Sequence, residues 1–209
     1  MNIITFFGFC ILPKKLFILM EYYPSNNLYE IIFDDELEEH SKLNAITERN
    51  IALQLCEAVS HLHSRKNPII HRDIKPENIL INSRLLLKLC DFSLSTTVSL
   101  HPNLRTTKGH KSTKGSPSYL APEILIDKKN ATAHSDVWNC ACVIFELYSK
   151  SEVWSDFNAS TDFKEFIGSA KVPNLSKVPT DLSEILKKCF VKAESRPIIT
   201  ELKVMLDKL

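Results

Sequence analysis

Residues 3–12 and 16–22 are two nearly continuous apolar runs parted by Pro13-Lys14-Lys15. That layout predicts the two strands of a hairpin, with Lys14 and Lys15 in the turn. The Pro, Ser and Asn of YYPSNN, residues 22–27, then predict a short linker. From Thr47 to Ser64 the period changes: Ile51, Leu55, Ala58, Val59 and Leu62 fall on one face of a helix, with Thr47 as the expected N-cap. Residues 78–81 and 85–90 predict two short strands about a turn at Asn82-Ser83-Arg84. Helical spacing returns over 135–149, 181–190 and 198–208. Residues 92–122 hold no acid, several Ser and Thr, and the cations Arg105, Lys108, Lys111 and Lys114, which predicts a long exposed loop. There is no internal repeat. The order is two strands, then mostly helix.

Composition changes this picture little. At 209 residues the chain suits one domain or two small lobes, long enough to bury a core. With 44% hydrophobic residues, 24% charged and a formal net charge of +1, it lacks the basic footprint of a nucleic-acid binder. Cysteines 10, 56, 90, 140, 142 and 189 form no CxxC pair and no zinc-finger spacing, so they are expected to be reduced core thiols of an intracellular, cytoplasmic protein. The opening MNIITFFGFCILPKK has an apolar run of signal-peptide length, but its lysines follow the run instead of preceding it, which suits strand, turn, strand. No segment approaches the roughly 18 uninterrupted apolar residues of a membrane span.

Chemistry enters at IIHRDIKPENILI, residues 69–81. An Asp, a Lys and an Asn spaced two and three residues apart between apolar runs is the pattern of a loop that transfers phosphate. His71-Arg72-Asp73-Ile74-Lys75-Pro76-Glu77-Asn78 matches the protein-kinase catalytic loop over its full length. CDFS supplies Asp91-Phe92 where that family has Asp-Phe-Gly, and GSPSYLAPE, residues 115–123, looks like the end of an activation segment. SDVWNCACVIFEL, residues 135–147, resembles the central helix of the larger lobe, and Arg196-Pro197 the pair before the last helix. The chain therefore resembles eukaryotic protein kinases, and NIITFFGFC with LFILMEYYPSNNLYEII looks most like the tyrosine-kinase-like or MAP-kinase-kinase-kinase type.

The resemblance implies an α+β kinase-like fold: residues 1–23 as a two-strand remnant of the N-lobe with the hinge, and 24–209 as a mainly helical C-lobe. It implies ATP and Mg²⁺ as cofactors and a protein substrate, with neither nucleic acid nor membrane as a partner. Phosphoryl transfer leaves a protein mostly positioning and charge neutralisation to do. Asp73 would orient the acceptor hydroxyl and receive its proton, and Lys75 would sit against the γ-phosphate. Asn78 and Asp91 would coordinate Mg²⁺. Met20 falls at the gatekeeper position, the backbones of Glu21 and Tyr23 would pair with adenine, and Leu80 would press on its underside. His71 and Phe92 are expected to pack. Lys75, and Ser116 in place of the family's Thr, point to a Ser/Thr acceptor. Asp136 should anchor the catalytic-loop backbone and Glu123 should pair with Arg196. An upstream kinase acting on 93–116, with Thr106, Thr107, Ser112 and Thr113 as acceptors and Arg72 as the receiving cation, would regulate it.

Four departures qualify the expectation. Ser93 stands where the family has glycine, a position whose backbone angles cost other residues roughly 1–3 kcal/mol. Ala141 replaces a helix glycine, and the stretch before Arg196 lacks its usual Asp-Pro. The glycine-rich loop, the strand lysine and the helix glutamate that complete the nucleotide site are not among these residues, since Gly8 alone precedes the catalytic loop and Lys14-Lys15 belong to a turn. Two readings follow: a Ser/Thr kinase inactive as this truncated chain, or a truncated pseudokinase acting as a protein-binding module.

Overall fold

A computed structural model describes residues 2–13, 15–97, 117–157, 162–169 and 171–209. Strands β1 (Phe6–Leu12) and β2 (Lys15–Met20) form the expected antiparallel hairpin. A bulge near its open end is met by Gly8, whose φ of 155° favours a residue without Cβ. The boundaries differ from the expected ones: Lys15 is the first residue of β2 and not part of the turn, and the strand ends at Met20. Residues 2–4 leave the hairpin and join the body instead. Ile4 N–H donates to Leu89 O at 3.0 Å, and Leu89 N–H donates to Asn2 O at 2.9 Å.

The supposed linker carries structure. Asn26–Asn27 form β3, and Asn27 Oδ1 accepts from Glu30 N–H at 2.9 Å to start α1 (Leu28–Phe33). A short α2 (Glu38–Ser41) follows. The long helix α3 (Ala45–His63) begins earlier than its apolar stripe suggests. Its cap is Asn44, whose Oδ1 accepts from the N–H groups of Ile46 and Thr47, while Thr47 Oγ1 accepts in return from Asn44 N–H. Thr47 is thus the third helical residue of a capping box and not the cap.

Next come β4 (Ile69–Ile70), β5 (Ile79–Ile81), β6 (Leu87–Leu89) and β7 (Thr96–Thr97). β5 lies between β3 and β6 in one small antiparallel sheet, and β4 pairs with β7. The expected exposed loop over 92–122 is interrupted by β7 at one end; at the other, Tyr119 and Ala121 are buried and α4 (Pro122–Leu125) begins. Helices α5 (Ala133–Ser149), α6 (Phe163–Gly168), α7 (Thr180–Cys189) and α8 (Ile199–Leu206) complete the body.

α5 is its axis. Every residue from Ser135 to Leu147 is buried, the mark of a helix surrounded on all sides. α3 lays Ile51, Leu55, Val59 and Leu62 into the same core, where α7 and α8 also pack. Four cysteines, Cys56, Cys140, Cys142 and Cys189, are buried free thiols there, and burial pushes their ionisation up. Cys10 departs from the expected pattern: it is exposed on the hairpin. No described helix is long and apolar enough to cross a membrane.

Candidate active site

The loop from His71 to Lys75 joins β4 to a short 3-10 turn at Pro76–Asn78 and so to β5. Its shape is imposed from below. Asp136, fully buried near the start of α5, accepts from the N–H groups of His71 and Arg72, each at 2.9 Å. His63, at the end of α3, bonds to the same carboxylate at 2.8 Å. These bonds hold Arg72 at φ 74°, a left-handed conformation that costs an L-residue roughly 1–2 kcal/mol. The expectation that Asp136 anchors this backbone agrees with the geometry.

His71 packs as expected. Its ring meets Phe92 edge-on at 4.8 Å between centroids. Nδ1 accepts from Asp73 N–H at 3.4 Å, so the ring proton sits on Nε2, which donates to Cys90 O at 3.1 Å. Burial drives the imidazole below its ordinary range, so it stays neutral.

Asp73, Lys75 and Asn78 converge. The Asn78 amide nitrogen donates to Asp73 O at 2.8 Å and to Asp73 Oδ2 at 2.9 Å, and Lys75 Nζ lies 3.8 Å from the same Oδ2. Because the amide nitrogen is committed, Asn78 Oδ1 is the atom left to face a cation. Asp91 approaches from the next strand, since Cys90 N–H donates to Asn78 O at 3.0 Å. Asp91 takes φ 58°, and its Oδ1 accepts from Ser93 N–H at 3.1 Å. The side chain of Ser93 also bonds the carboxylate and holds it below its usual range against partial burial. Two hard oxygen donors suit Mg²⁺, which keeps several waters and relies on substrate phosphates. No cluster of three or more His, Cys, Asp or Glu able to cage a metal occurs among the described residues.

Beside these groups Met20, Glu21, Tyr23, Leu80 and Asp91 line one open cavity, as the resemblance implies for a nucleotide. Ile4, Tyr22 and Cys90 line it as well. Cys90 was readable only as a core thiol, and Ile4 reaches the cavity because residues 2–4 pair with β6. Burial pushes the Cys90 thiol up to about 11. The stretch from Glu21 to Tyr23 is braced: Lys88 bonds the Glu21 carboxylate and holds it down to about 2, Thr5 N–H donates to it at 2.6 Å, and Tyr23 Oη donates to Leu86 O at 3.0 Å.

Glu123 and Arg196 pair bidentately at 2.7 and 2.8 Å, both buried, so the expected ion pair is present. Burial alone would raise the Glu123 carboxyl; Arg196 outweighs it and leaves it lowered. Ser135 Oγ, at the start of α5, donates to Glu123 at 2.9 Å, and the Arg196 guanidinium lies 4.9 Å from the Trp138 ring centroid. Ser116 and the acceptors Thr106, Thr107, Ser112 and Thr113 fall outside the described residues.

The chain is 30% identical to the dual specificity protein kinase shkC of Dictyostelium discoideum over 209 residues, 99% of this chain and 40% of that protein. It is 28% identical to the MAP kinase kinase kinase wis4 of Schizosaccharomyces pombe over 211 residues, 96% of this chain and 15% of the relative. With the serine/threonine-protein kinase CTR1 of Arabidopsis thaliana it shares 30% identity over 161 residues, 75% of this chain and 18% of the other. The chain thus spans 40% or less of the length of these relatives. The model of the protein kinase domain matches residues 1–205, and the chain belongs to that family.

Proposed function

We propose that this chain carries the acceptor-side and metal-side machinery of a protein kinase that transfers the γ-phosphate of Mg-ATP to Ser or Thr of a protein. The observation that carries the reading is the Asp73–Asn78–Lys75 constellation on a loop whose backbone is clamped by Asp136. Asp73 receives the acceptor proton. Its carboxylate is aimed by the Asn78 amide, and Lys75 supplies a positive charge within reach of the transferred group. Asn78 Oδ1 and Asp91 would hold Mg²⁺, which neutralises phosphate charge when bound; the polypeptide itself supplies orientation. Met20, Glu21, Tyr23 and Leu80 form the adenine side. Residues 24–209 act as the C-lobe and 1–23 as the strand remnant and hinge, in the cytoplasm. Phosphate placed within 93–116 by an upstream kinase would find Arg72 exposed beside Asp73.

The test is phosphate transfer from ATP to a mixed Ser/Thr protein acceptor and to a tyrosine polymer. Assayed as these 209 residues alone, transfer should be negligible, because no glycine-rich lid or Lys–Glu pair is among them. Fused to a segment that supplies both, the chain should phosphorylate Ser/Thr, and Asp73→Asn should remove about 10²–10⁴ of that rate. Activity indifferent to Asp73→Asn would sink the reading.

A second reading, a protein-binding module that transfers nothing, is favoured by Ser93 in the glycine position, engaged with Asp91. A well-folded fusion that binds partners yet stays inactive would decide for it.

A further inference from the structure

Ser93 occupies the family's glycine position without the strain expected there. The left-handed residue of this turn is Asp91, at φ 58°, and Ser93 does not share that conformation. The backbone at this position therefore does not require glycine. What serine adds is its hydroxyl. Ser93 N–H, which glycine would supply as well, donates to Asp91 Oδ1 at 3.1 Å. The Ser93 hydroxyl bonds the same carboxylate. The turn that carries it is fixed in place: Ser95 N–H donates to Phe92 O at 3.1 Å, and Ser95 Oγ donates to His71 O at 3.2 Å.

A carboxylate has about four lone-pair directions, shared between its two oxygens. Ser93 takes two of those of Asp91, one with its N–H and one with its hydroxyl. Asn78 adds a single oxygen, because its amide nitrogen is committed to Asp73. Cations differ in how they use what remains. Mg²⁺ is small and octahedral, and it is satisfied by single oxygens and several waters. Ca²⁺ takes roughly six to eight oxygens and readily draws on both oxygens of one carboxylate.

We propose that Ser93 is a positioning residue that makes the Asp91–Asn78 site select Mg²⁺ over Ca²⁺, its hydroxyl holding Asp91 to one-oxygen binding. Without the hydroxyl, the Asp91 carboxylate is free to turn and offer both oxygens to the larger ion. The inference rests on Asp91 and Asn78 holding the metal, as proposed above. No covalent bond is made or broken.

The test titrates MgCl₂ or CaCl₂ into the ¹⁵N-labelled 209-residue chain, with the backbone amide signals of residues 91–93 as reporters. Ser93 is exposed, so its substitution leaves the core intact. Ser93→Ala should tighten Ca²⁺ binding about fivefold, the scale of one charge-assisted hydrogen bond at an exposed site, and Mg²⁺ binding by less than about twofold. Ser93→Thr, which keeps the hydroxyl, should bind both ions as the unsubstituted chain does. Asp91→Asn should abolish the response to both. If Ser93→Ala gains nothing for Ca²⁺, or gains equally for the two ions, the proposal falls while the metal assignment stands. It falls in the same way if Ser93→Thr behaves like Ser93→Ala. A response that survives Asp91→Asn would overturn the metal assignment and the proposal together.

Discussion

The β1–β2 hairpin and helix α5 are both rich in apolar residues, and they end at opposite extremes. Across both strands every residue except Gly8 is exposed, with Phe9 at 63% and Ile11 at 72%. In α5 thirteen consecutive residues are buried. The difference lies in the backbone. A helix satisfies its own N–H and C=O groups, so neighbours can close around its whole circumference. A two-stranded ladder leaves both outer edges unpaired and cannot bury either face by itself. Apolar periodicity names the element; the number of neighbours decides what it gains from being apolar.

The comparison can be broken by substitution. Phe145→Ala, in the middle of α5, should cost about 3–5 kcal/mol in urea unfolding. Arg196→Ala should cost a similar amount, about 3–5 kcal/mol, because it leaves Glu123 as an uncompensated buried carboxylate next to α5. A loss under about 1 kcal/mol in either case would mean that the helical body is far looser than its burial implies.

pH sharpens it further. Glu146 of α5 is buried, accepts from Val153 N–H at 2.8 Å and bonds Tyr119 Oη at 2.9 Å, and burial raises its carboxyl from 4.5 to about 7. A folded value above the unfolded one stabilises the protein fully below pH 4.5, and that stability is lost as pH rises through 7. A displacement of this size corresponds to about 3 kcal/mol. The urea midpoint should therefore fall from pH 5 to pH 8, and Glu146→Gln should flatten the fall. Glu123 works in a separate window: its lowered carboxyl adds stability above about pH 4.5 that disappears in acid.

Smaller effects complete the series. Asn44→Ala should cost about 1 kcal/mol through the lost cap of α3. Phe9→Ala, on the hairpin, should change stability by no more than about 0.5 kcal/mol. If Phe9→Ala costs as much as Phe145→Ala, the hairpin is covered in solution and the contrast with α5 fails.

How much of this was legible varied with the range of the interaction. The loop around Asp73 was plain because its residues are consecutive and their chemistry is specific. Asp136 and the Glu123–Arg196 pair were reachable only through the family resemblance, since the pair spans 73 positions that no local pattern connects. Asn44 carries a local signal of its own, since Asn-x-x-Thr before a helix is a reciprocal cap, but it lies ahead of the apolar stripe, which begins only at Ile51. β3, α1 and α2 were absent from the reading because each is six residues or shorter and β3 exists only through its pairing with β5. The turn of residues 2–4 toward Leu89 is a tertiary choice that an apolar run cannot announce.

The Asp136 clamp also says when, in folding, the loop from His71 to Lys75 can take shape. Its three bonds reach back 73, 65 and 64 residues, to His63, His71 and Arg72. Contacts of such separation must first overcome the entropy of closing a long loop, and they form after the local helices that bring their ends together. Until α5 docks against α3, nothing holds Arg72 in its left-handed conformation, and the chain there should relax to ordinary extended geometry. The loop is thus a late product of assembly. Any lesion that slows the docking of α5, however distant from Asp73, would delay the ordering of this loop more than it delays the collapse of the chain.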